Sequence, residues 1–474
     1  MILNSSRATG RRKILLFNPP GDRPYLRDYY CSHSSKAHYI WHPYDLLAHS
    51  GILGLEHEVQ AFDPSVLRMS KARARAELLR RDFDTVLMLT GAVSLAEDLE
   101  FVRSVPGLTE KTFIATGDTF LYHGVEMMEK HPFIDAALLD FTSRCLLPWL
   151  QGELDGSPVA NLIYRHGDAI VDGGRYVEKR LFKMPLPHYE IFPWRHYRIP
   201  HGRSFPFGSI ITDFGCPYNC NFCVSGDLPY KWRELDDVLR EMHYLRSLGI
   251  RELWIKDLTF FANRKHHRQL CEAMIEENLG LSWICLSRVN VMNEETLELM
   301  ARAGCHTIQF GVESPTDEIL RYINKQISND EVQRIFRICR TLGIRTLAHY
   351  VLGFPGETLE TAEATIRYAI ELDSDFASFN IATPKVGTPF REEAVAQGWV
   401  DPSVELALDN SRAKPVVDVG TISPEDVRRM RNRAILRFHL RPRYVWRTLC
   451  GIRTTQELVN HAKDAVSLLM TVRD

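Results

Sequence analysis

Three cysteines stand close together in Gly215-Cys-Pro-Tyr-Asn-Cys-Asn-Phe-Cys223, at the spacing C-x3-C-x2-C. Thiolates are the ligands of iron–sulfur clusters, and a cubane offers four ligand positions. Cys216, Cys220 and Cys223 would therefore leave one iron open to a ligand from outside the chain. A structural zinc site is the alternative, but it calls for a fourth Cys or His at a matched spacing. The next histidine, His243, falls within a helical pattern. The other cysteines, Cys31, Cys145, Cys271, Cys285, Cys305, Cys339 and Cys450, are scattered, most of them among apolar residues. They read as small buried hydrophobes, kept reduced in a cytosolic chain.

The elements that must hold the loop begin at Ser209. Apolar runs at Ser209–Asp213, Glu252–Lys256, Ser282–Leu286, Thr307–Phe310, Arg345–Leu352 and Ala377–Ala382 are each followed by a helical stretch. Six strand–helix units in about 190 residues predict a partial parallel (β/α)6 barrel, with its chemistry in loops at the carboxyl ends of the strands. The cysteine loop follows the first of these strands. Arg288 closes the third, and its planar fork suits a carboxylate.

The preceding part also alternates strand and helix. Lys13–Phe17, His57–Phe62, Thr85–Thr90, Thr112–Ala115 and Asp135–Leu139 predict a parallel sheet covered on both faces, a doubly wound α/β domain. The expected organisation is this domain at 1–152, a structured connector at 153–208 and the barrel at 209–400. A helical region at 401–474 follows, with helices near Pro424–His439 and Thr455–Thr471. The connector is rich in Pro and aromatics (Pro185, Pro187, Pro193, Trp194) and has no sustained period.

The cysteine loop resembles the signature of the radical S-adenosylmethionine (SAM) superfamily, which carries an aromatic residue just before the last cysteine. Phe222 fills that position. The resemblance implies a [4Fe–4S] cluster on Cys216, Cys220 and Cys223, with the open iron chelated by the amino and carboxylate groups of SAM. It also implies an external flavodoxin- or ferredoxin-like electron donor. One electron would then break a carbon–sulfur bond of SAM and release a 5′-deoxyadenosyl radical. Later segments are similar to the family's SAM-contacting positions. Lys256 and Asp257 in Trp254-Ile-Lys-Asp-Leu-Thr-Phe260 match residues near the methionine amino group. Gly311, Glu313 and Ser314 in Gln309-Phe-Gly-Val-Glu-Ser314 match positions near the ribose and amino group. Gly353 belongs to a segment like the adenine-side G-x-P-G-E-T turn, and Thr383-Pro-Lys-Val-Gly-Thr-Pro389 is like the P-x-x-G-T-P segment.

A doubly wound domain ahead of such a barrel resembles the cobalamin-binding subfamily. Asn18-Pro19-Pro20 and Gly54 to Asp63 fit its pattern, and Thr90-Gly-Ala-Val-Ser94 is like the loop that contacts the cobalamin tail, which makes Thr90 and Ser94 candidate cofactor contacts. The chain departs from that pattern in having no D-x-H-x-x-G stretch. The loops Ala115–Thr119 and Asp140–Arg144 lack the usual glycines, and Asp118 places an anion where the tail would lie. Cobalamin therefore stays open at this point. Arg27, Asp28, Tyr29 and Tyr30, after the first strand, are expected at the barrel mouth, as substrate contacts or as a lock between domains.

Two enzymatic branches follow. The leading one abstracts hydrogen from a small sugar, lipid or natural-product substrate without needing cobalamin, as some radical SAM aminosugar deoxygenases do. The outcome would be oxidation, dehydration or epimerisation. The other branch is cobalamin-dependent methylation at carbon or phosphorus, or ring rearrangement. A transfer-RNA methylthiotransferase is disfavoured, because the three further cluster cysteines and a basic tail domain are missing. A non-catalytic iron–sulfur protein would not need a SAM-like pocket. Net charge is −2, from 58 Lys and Arg against 60 Asp and Glu, which gives no nucleic-acid footprint. With no apolar run of membrane-spanning length and no signal region, the chain reads as cytoplasmic.

Overall fold

A computed structural model describes residues 10–28, 31–35, 39–177, 179–401 and 417–451. Tyr29, Tyr30 and the expected helix Thr455–Thr471 lie outside the described residues. The described chain falls into two compact units, one ending at Ile199 and the other beginning at Pro200.

In the first unit, Lys13–Phe17 and Thr85–Leu89 are almost wholly buried apolar runs, as strands covered on both faces must be. They pair in parallel, and the sheet runs Glu58–Phe62, Lys13–Phe17, Thr85–Leu89, Thr112–Thr116, Ala136–Leu138. That is the doubly wound order 2-1-3-4-5, whose ligand crevice lies beyond the carboxyl ends, between the first and third strands. The helix after the first strand, Tyr44–Leu53, is buried along its whole length.

The connector expected at 153–208 differs from the structure. Leu162–His166 and Ala169–Asp172 form a hairpin that extends the first sheet in antiparallel fashion. Its turn is Gly167-Asp168, a composition that two-residue hairpins favour. The strands escape a period-based reading because only Leu162, Ile163 and Tyr164 are buried and the rest are half-buried or exposed. Farther on, the His188 amide donates to Ser50 Oγ at 2.8 Å, which fastens this stretch to the buried helix.

The second unit is a six-stranded parallel sheet in sequence order. Its strands are Phe207–Ile210, Glu252–Ile255, Ser282–Ser287, Cys305–Glu313, Arg345–Leu352 and Phe376–Ile381. Four of the helices between them start on side-chain caps. Asn263 accepts from the His266 amide, Asn293 from Thr296, and Ser328 and Thr358 form reciprocal capping boxes. Each cap contributes about 1 kcal/mol and fixes where the strand-to-helix loop ends.

Side chains close the amino end of the barrel. His306 Nε2 lies 2.8 Å from Glu252 Oε1, Arg345 Nε donates to Thr307 Oγ1 at 3.2 Å, and the Phe376 ring stacks on His201 at 3.7 Å. The opposite, carboxyl end is where the cysteine loop sits. Helix Pro424–His439 packs on this unit through Phe438, whose ring lies 6.1 Å from Phe379.

Candidate functional site

The cysteine loop leaves a two-residue strand, Asp213–Phe214, that pairs antiparallel with Lys231–Arg233. Its backbone is tied to distant parts of the unit. Asn221 donates its amide to Ile323 O (3.3 Å) and its side chain to Tyr322 O (2.8 Å), and it accepts from the Phe390 amide (3.0 Å). Asn324 Nδ2 donates to Asn219 Oδ1 at 2.7 Å. Phe222 packs on an apolar cluster that includes Ile323 and Phe390, with its ring 5.2 Å from Phe354. The aromatic residue before the last cysteine is thus an anchor for the loop.

Cys216 Sγ lies 3.4 Å from Thr259 Oγ1, and Cys220 Sγ receives an N–H from Arg288 Nη1 at 3.1 Å. Burial pushes the Cys216 thiol up to about 11, and the neighbouring Cys223 and Cys220 act in the same direction. A thiolate here therefore needs the positive charge of bound metal. Two ligands of one zinc lie at most about 4.6 Å apart, twice the Zn–S length. Among the described residues, the set of three ligand atoms lying within 4.8 Å of one another is Asp213, Asp257 and His267, not the three cysteines.

The strand ends reach this loop unevenly. Arg288, expected to meet a carboxylate, is held by the loop. Besides Cys220, it donates to Lys325 O and to Asn290 Oδ1 (3.2 Å), and its face lies 4.3 Å from the Tyr218 ring centroid. Lys256 is buried, with its ammonium 5.0 Å from the Trp254 ring centroid. Asp257 lies behind the loop. Its Oδ1 accepts from the amides of Thr212 (2.6 Å) and Asp213 (3.1 Å), and its Oδ2 from the Thr212 hydroxyl. The carboxylate expected beside an amino group of SAM thus braces the turn that leads to Cys216.

Glu313 forms a buried ion pair with Lys325 Nζ at 2.7 Å. The fourth strand bulges between Gly311 and Glu313, and Glu313 adopts φ 64°. A Cβ on Gly311 would meet the Glu313 carboxylate and the Lys325 ammonium, so the ion pair would have to shift to admit one. Ser314 is buried and its Oγ accepts from the Thr316 amide at 3.2 Å. Gly353, at φ 95°, donates its amide to Glu357 Oε2 at 3.0 Å. Burial pushes the Glu357 carboxyl up to about 7.

Tyr218, Thr259, Asn324 and Lys325 belong to the site but were not among the expected residues. Thr259 lies in the stretch Trp254-Ile-Lys-Asp-Leu-Thr-Phe260, two residues beyond Asp257. Asn324 and Gln326 both take left-handed backbone, at φ 54°. A short Asn-containing stretch between two helices was the available signal for that turn.

In the first unit, Thr90 Oγ1 and Ser94 Oγ each donate to Asp98 Oδ2 at 2.7 Å. Asp98 in turn holds Arg27 in a fully buried ion pair of 2.6 Å. Arg27 also donates to Asn18 Oδ1 (2.8 Å) and Pro19 O (3.1 Å). Arg27 and Asp28 are buried and find partners in this unit, where Trp41 Nε1 donates to Asp28 Oδ2 at 3.1 Å. The reason is a hairpin, Tyr25–Asp28 with Cys31–Ser34, folded against the third-strand loop. Asp118 is hydrogen-bonded locally, accepting from the Ser32 amide (2.7 Å), the Ser32 hydroxyl (2.9 Å) and the Ala92 amide (2.8 Å). His49 is fully buried, its ring nitrogens have no side-chain hydrogen-bond partner among the described residues, and burial lowers it to about 4. Thr119 Oγ1, after the fourth strand, is likewise buried and unpartnered. Among the scattered cysteines, Cys145, Cys271, Cys285, Cys305 and Cys339 are buried as expected, whereas Cys450 is exposed.

Residues 210–369 match the radical SAM superfamily. An uncharacterized methyltransferase of Pyrococcus horikoshii is 29% identical over 401 residues, which is 82% of this chain and 85% of that protein. The cytidylyl-2-hydroxyethylphosphonate methyltransferase of Streptomyces wedmorensis is 30% identical over 242 residues, 47% of this chain and 45% of its own length. Among solved structures, the radical SAM methyltransferase TsrM of Kitasatospora setae, with cobalamin and a [4Fe–4S] cluster bound, superposes with a TM-score of 0.66 at 22% identity. That match covers 82% of this chain and 78% of TsrM.

Proposed function

We propose, from the premise that this chain is a radical SAM enzyme, that it is a cobalamin-using methyltransferase acting on a carbon or phosphorus centre of a small molecule. The observation that carries this reading is the Pyrococcus relative, a methyltransferase matched over most of both chains. The phosphonate methyltransferase points the same way over a shorter span. Hydrogen abstraction without cobalamin has less support, since none of these relatives is named for it.

Cys216, Cys220 and Cys223 would hold the cluster, which when reduced supplies the electron that cleaves SAM. Arg288 donates to the Cys220 sulfur, Phe222 anchors the loop, and Asp257 braces its start. Lys256, Gly311, Glu313, Ser314 and Gly353 are proposed to line the SAM side. In support of a large polar ligand in the first unit, the buried His49 ring and Thr119 hydroxyl have hydrogen-bonding capacity that no side chain among the described residues satisfies. His49, Thr119 and the backbone of the Thr90–Ser94 loop would hold cobalamin, which when bound serves as a methyl carrier. A small protein electron donor and a cytoplasmic setting are part of the same proposal. In support, no described helix is long and apolar enough to cross a membrane, and the buried free cysteines suit a reducing compartment.

The test is anaerobic purification with cobalamin supplied, followed by cobalt and iron analysis and product analysis of SAM turnover. About one cobalt per chain, with S-adenosylhomocysteine formed only in cobalt-loaded protein, is expected. Cobalt-free protein that yields only 5′-deoxyadenosine with substrate would return the reading to hydrogen abstraction. Replacement of Cys216, Cys220 or Cys223 by Ala should abolish both the cluster absorbance and SAM cleavage.

A further inference from the structure

Behind the cysteine loop, Asp213 and Asp257 face one another with His267, and all three side chains are fully buried. Asp213 lies on the short strand that leads to Cys216, Asp257 follows the second barrel strand, and His267 lies in helix Arg264–Glu276. His267 Nε2 is 3.3 Å from Asp257 Oδ2, 3.6 Å from Asp213 Oδ2 and 3.1 Å from Thr212 Oγ1. One ligand atom from each of the three residues falls within 4.8 Å of the other two. Phe260 and Phe261 pack on the imidazole, at 4.4 and 5.8 Å between ring centroids, and give the cluster an apolar wall.

Two buried carboxylates without a cation are costly, since burial disfavours the charged form and each disfavours the other. Among the described residues, neither Asp213 nor Asp257 has a Lys or Arg partner. Asp257 is compensated by two amides and a hydroxyl. Asp213 receives only the Tyr230 hydroxyl on Oδ2, at 2.9 Å, and its Oδ1 is buried without any partner. His267 can complete such a site. Its Nδ1 has the Asn263 carbonyl at 3.0 Å and the Phe261 amide at 3.2 Å. The Phe261 amide donates to Nδ1 in this structure, so ligation through Nε2 requires the proton to move to Nδ1, where Asn263 O would accept it and orient the ring.

We propose that Asp213, Asp257 and His267 bind one divalent first-row cation of the Zn²⁺ or Mn²⁺ class. The Thr212 hydroxyl stands beside it, and the site is separate from the three cluster cysteines. Mixed imidazole and carboxylate donors suit these ions, whereas Ca²⁺ would want six to eight oxygens. The cation would cross-link the turn before Cys216 to the end of the second strand and to the following helix. It would thus set the position of the first cluster ligand from behind.

The experiment uses the full chain with its iron–sulfur cluster, kept anaerobic, and Mn²⁺ as the probe. Titration followed by electron paramagnetic resonance should show loss of the free Mn²⁺ signal up to about one equivalent per chain, reversed by competing Zn²⁺. Asp213→Asn and His267→Gln should each weaken that binding by at least the roughly 10- to 100-fold that loss of an outer partner costs a metal site. Cluster absorbance in each variant reports whether the loop has folded. Mn²⁺ that stays free in wild-type protein, both before and after a chelator wash that leaves the cluster intact, would overturn the proposal in favour of a proton held among the three residues. Binding unchanged in both variants would overturn it equally.

Discussion

At Cys220 the sulfur meets a guanidinium, a contact that would tune a cluster held by this cysteine. An N–H donated by a cation stabilises negative charge on a thiolate ligand and raises the cluster potential. Arg288→Gln should therefore lower the reduction potential by roughly 50–100 mV, the equivalent of a charged hydrogen bond of about 1–2.5 kcal/mol. A spectroscopic redox titration checks this, and an unchanged potential would separate Arg288 from the cluster. Glu357 offers a second test. Its carboxyl is moved from 4.5 to about 7 by burial, so the folded chain keeps a proton that the unfolded chain has released. Stability should then fall as pH rises from about 4.5 through 7, by up to about 3 kcal/mol. Thermal unfolding between pH 5 and 8 (about the span of the linkage) should show this slope reduced in Glu357→Gln.

At the scale of elements, the hairpin Tyr25–Ser34 is fixed by Arg27. The guanidinium joins the loop after the first strand, through Asn18 and Pro19, to the helix after the third, through Asp98. Arg27→Met leaves Asp98 buried without its cation and should cost about 3–5 kcal/mol. Denaturant unfolding of the purified variant measures it, and a loss below about 1 kcal/mol would mean that Asp98 finds another partner or a proton. The barrel strands were legible because each is an apolar run between helical stretches, and Arg345–Leu352 matches the expected bounds. The hairpins at Tyr25–Ser34 and Leu162–Asp172 were not. Their polar and edge residues show no hydrophobic period, and their pairing rests on partners elsewhere in the first unit.

For the whole molecule, the cluster loop and the Tyr322–Gln326 turn form one structural piece of the second unit, since the Asn221 amide and side chain and the Asn324 side chain bridge them. Removing the cluster iron with a chelator should raise hydrogen exchange at Tyr218–Cys223 and at Tyr322–Gln326 together. The parallel strands of the first unit, with Ile14, Leu15, Leu87 and Ile114 fully buried, should keep their protection. Exchange mass spectrometry reads both units at once, and a rise confined to the cysteine loop would refute the coupling.

The sequence alone determined the cysteine spacing, the parallel strands of both units and the doubly wound and barrel architectures. Those features depend on spacings of a few residues and on the period of apolar side chains, which any segment carries within itself. Only the tertiary structure decided the partners of the charged groups. Arg288 reaches Cys220 across 68 residues, Asp257 reaches Thr212 across 45, and Arg27 reaches Asp98 across 71. A buried charge takes whichever opposite charge or polar hydrogen the fold brings to it, and burial forces that pairing. Arg288, Asp257 and Arg27, each readable as a ligand contact from its place at a strand end, are therefore held by the protein itself.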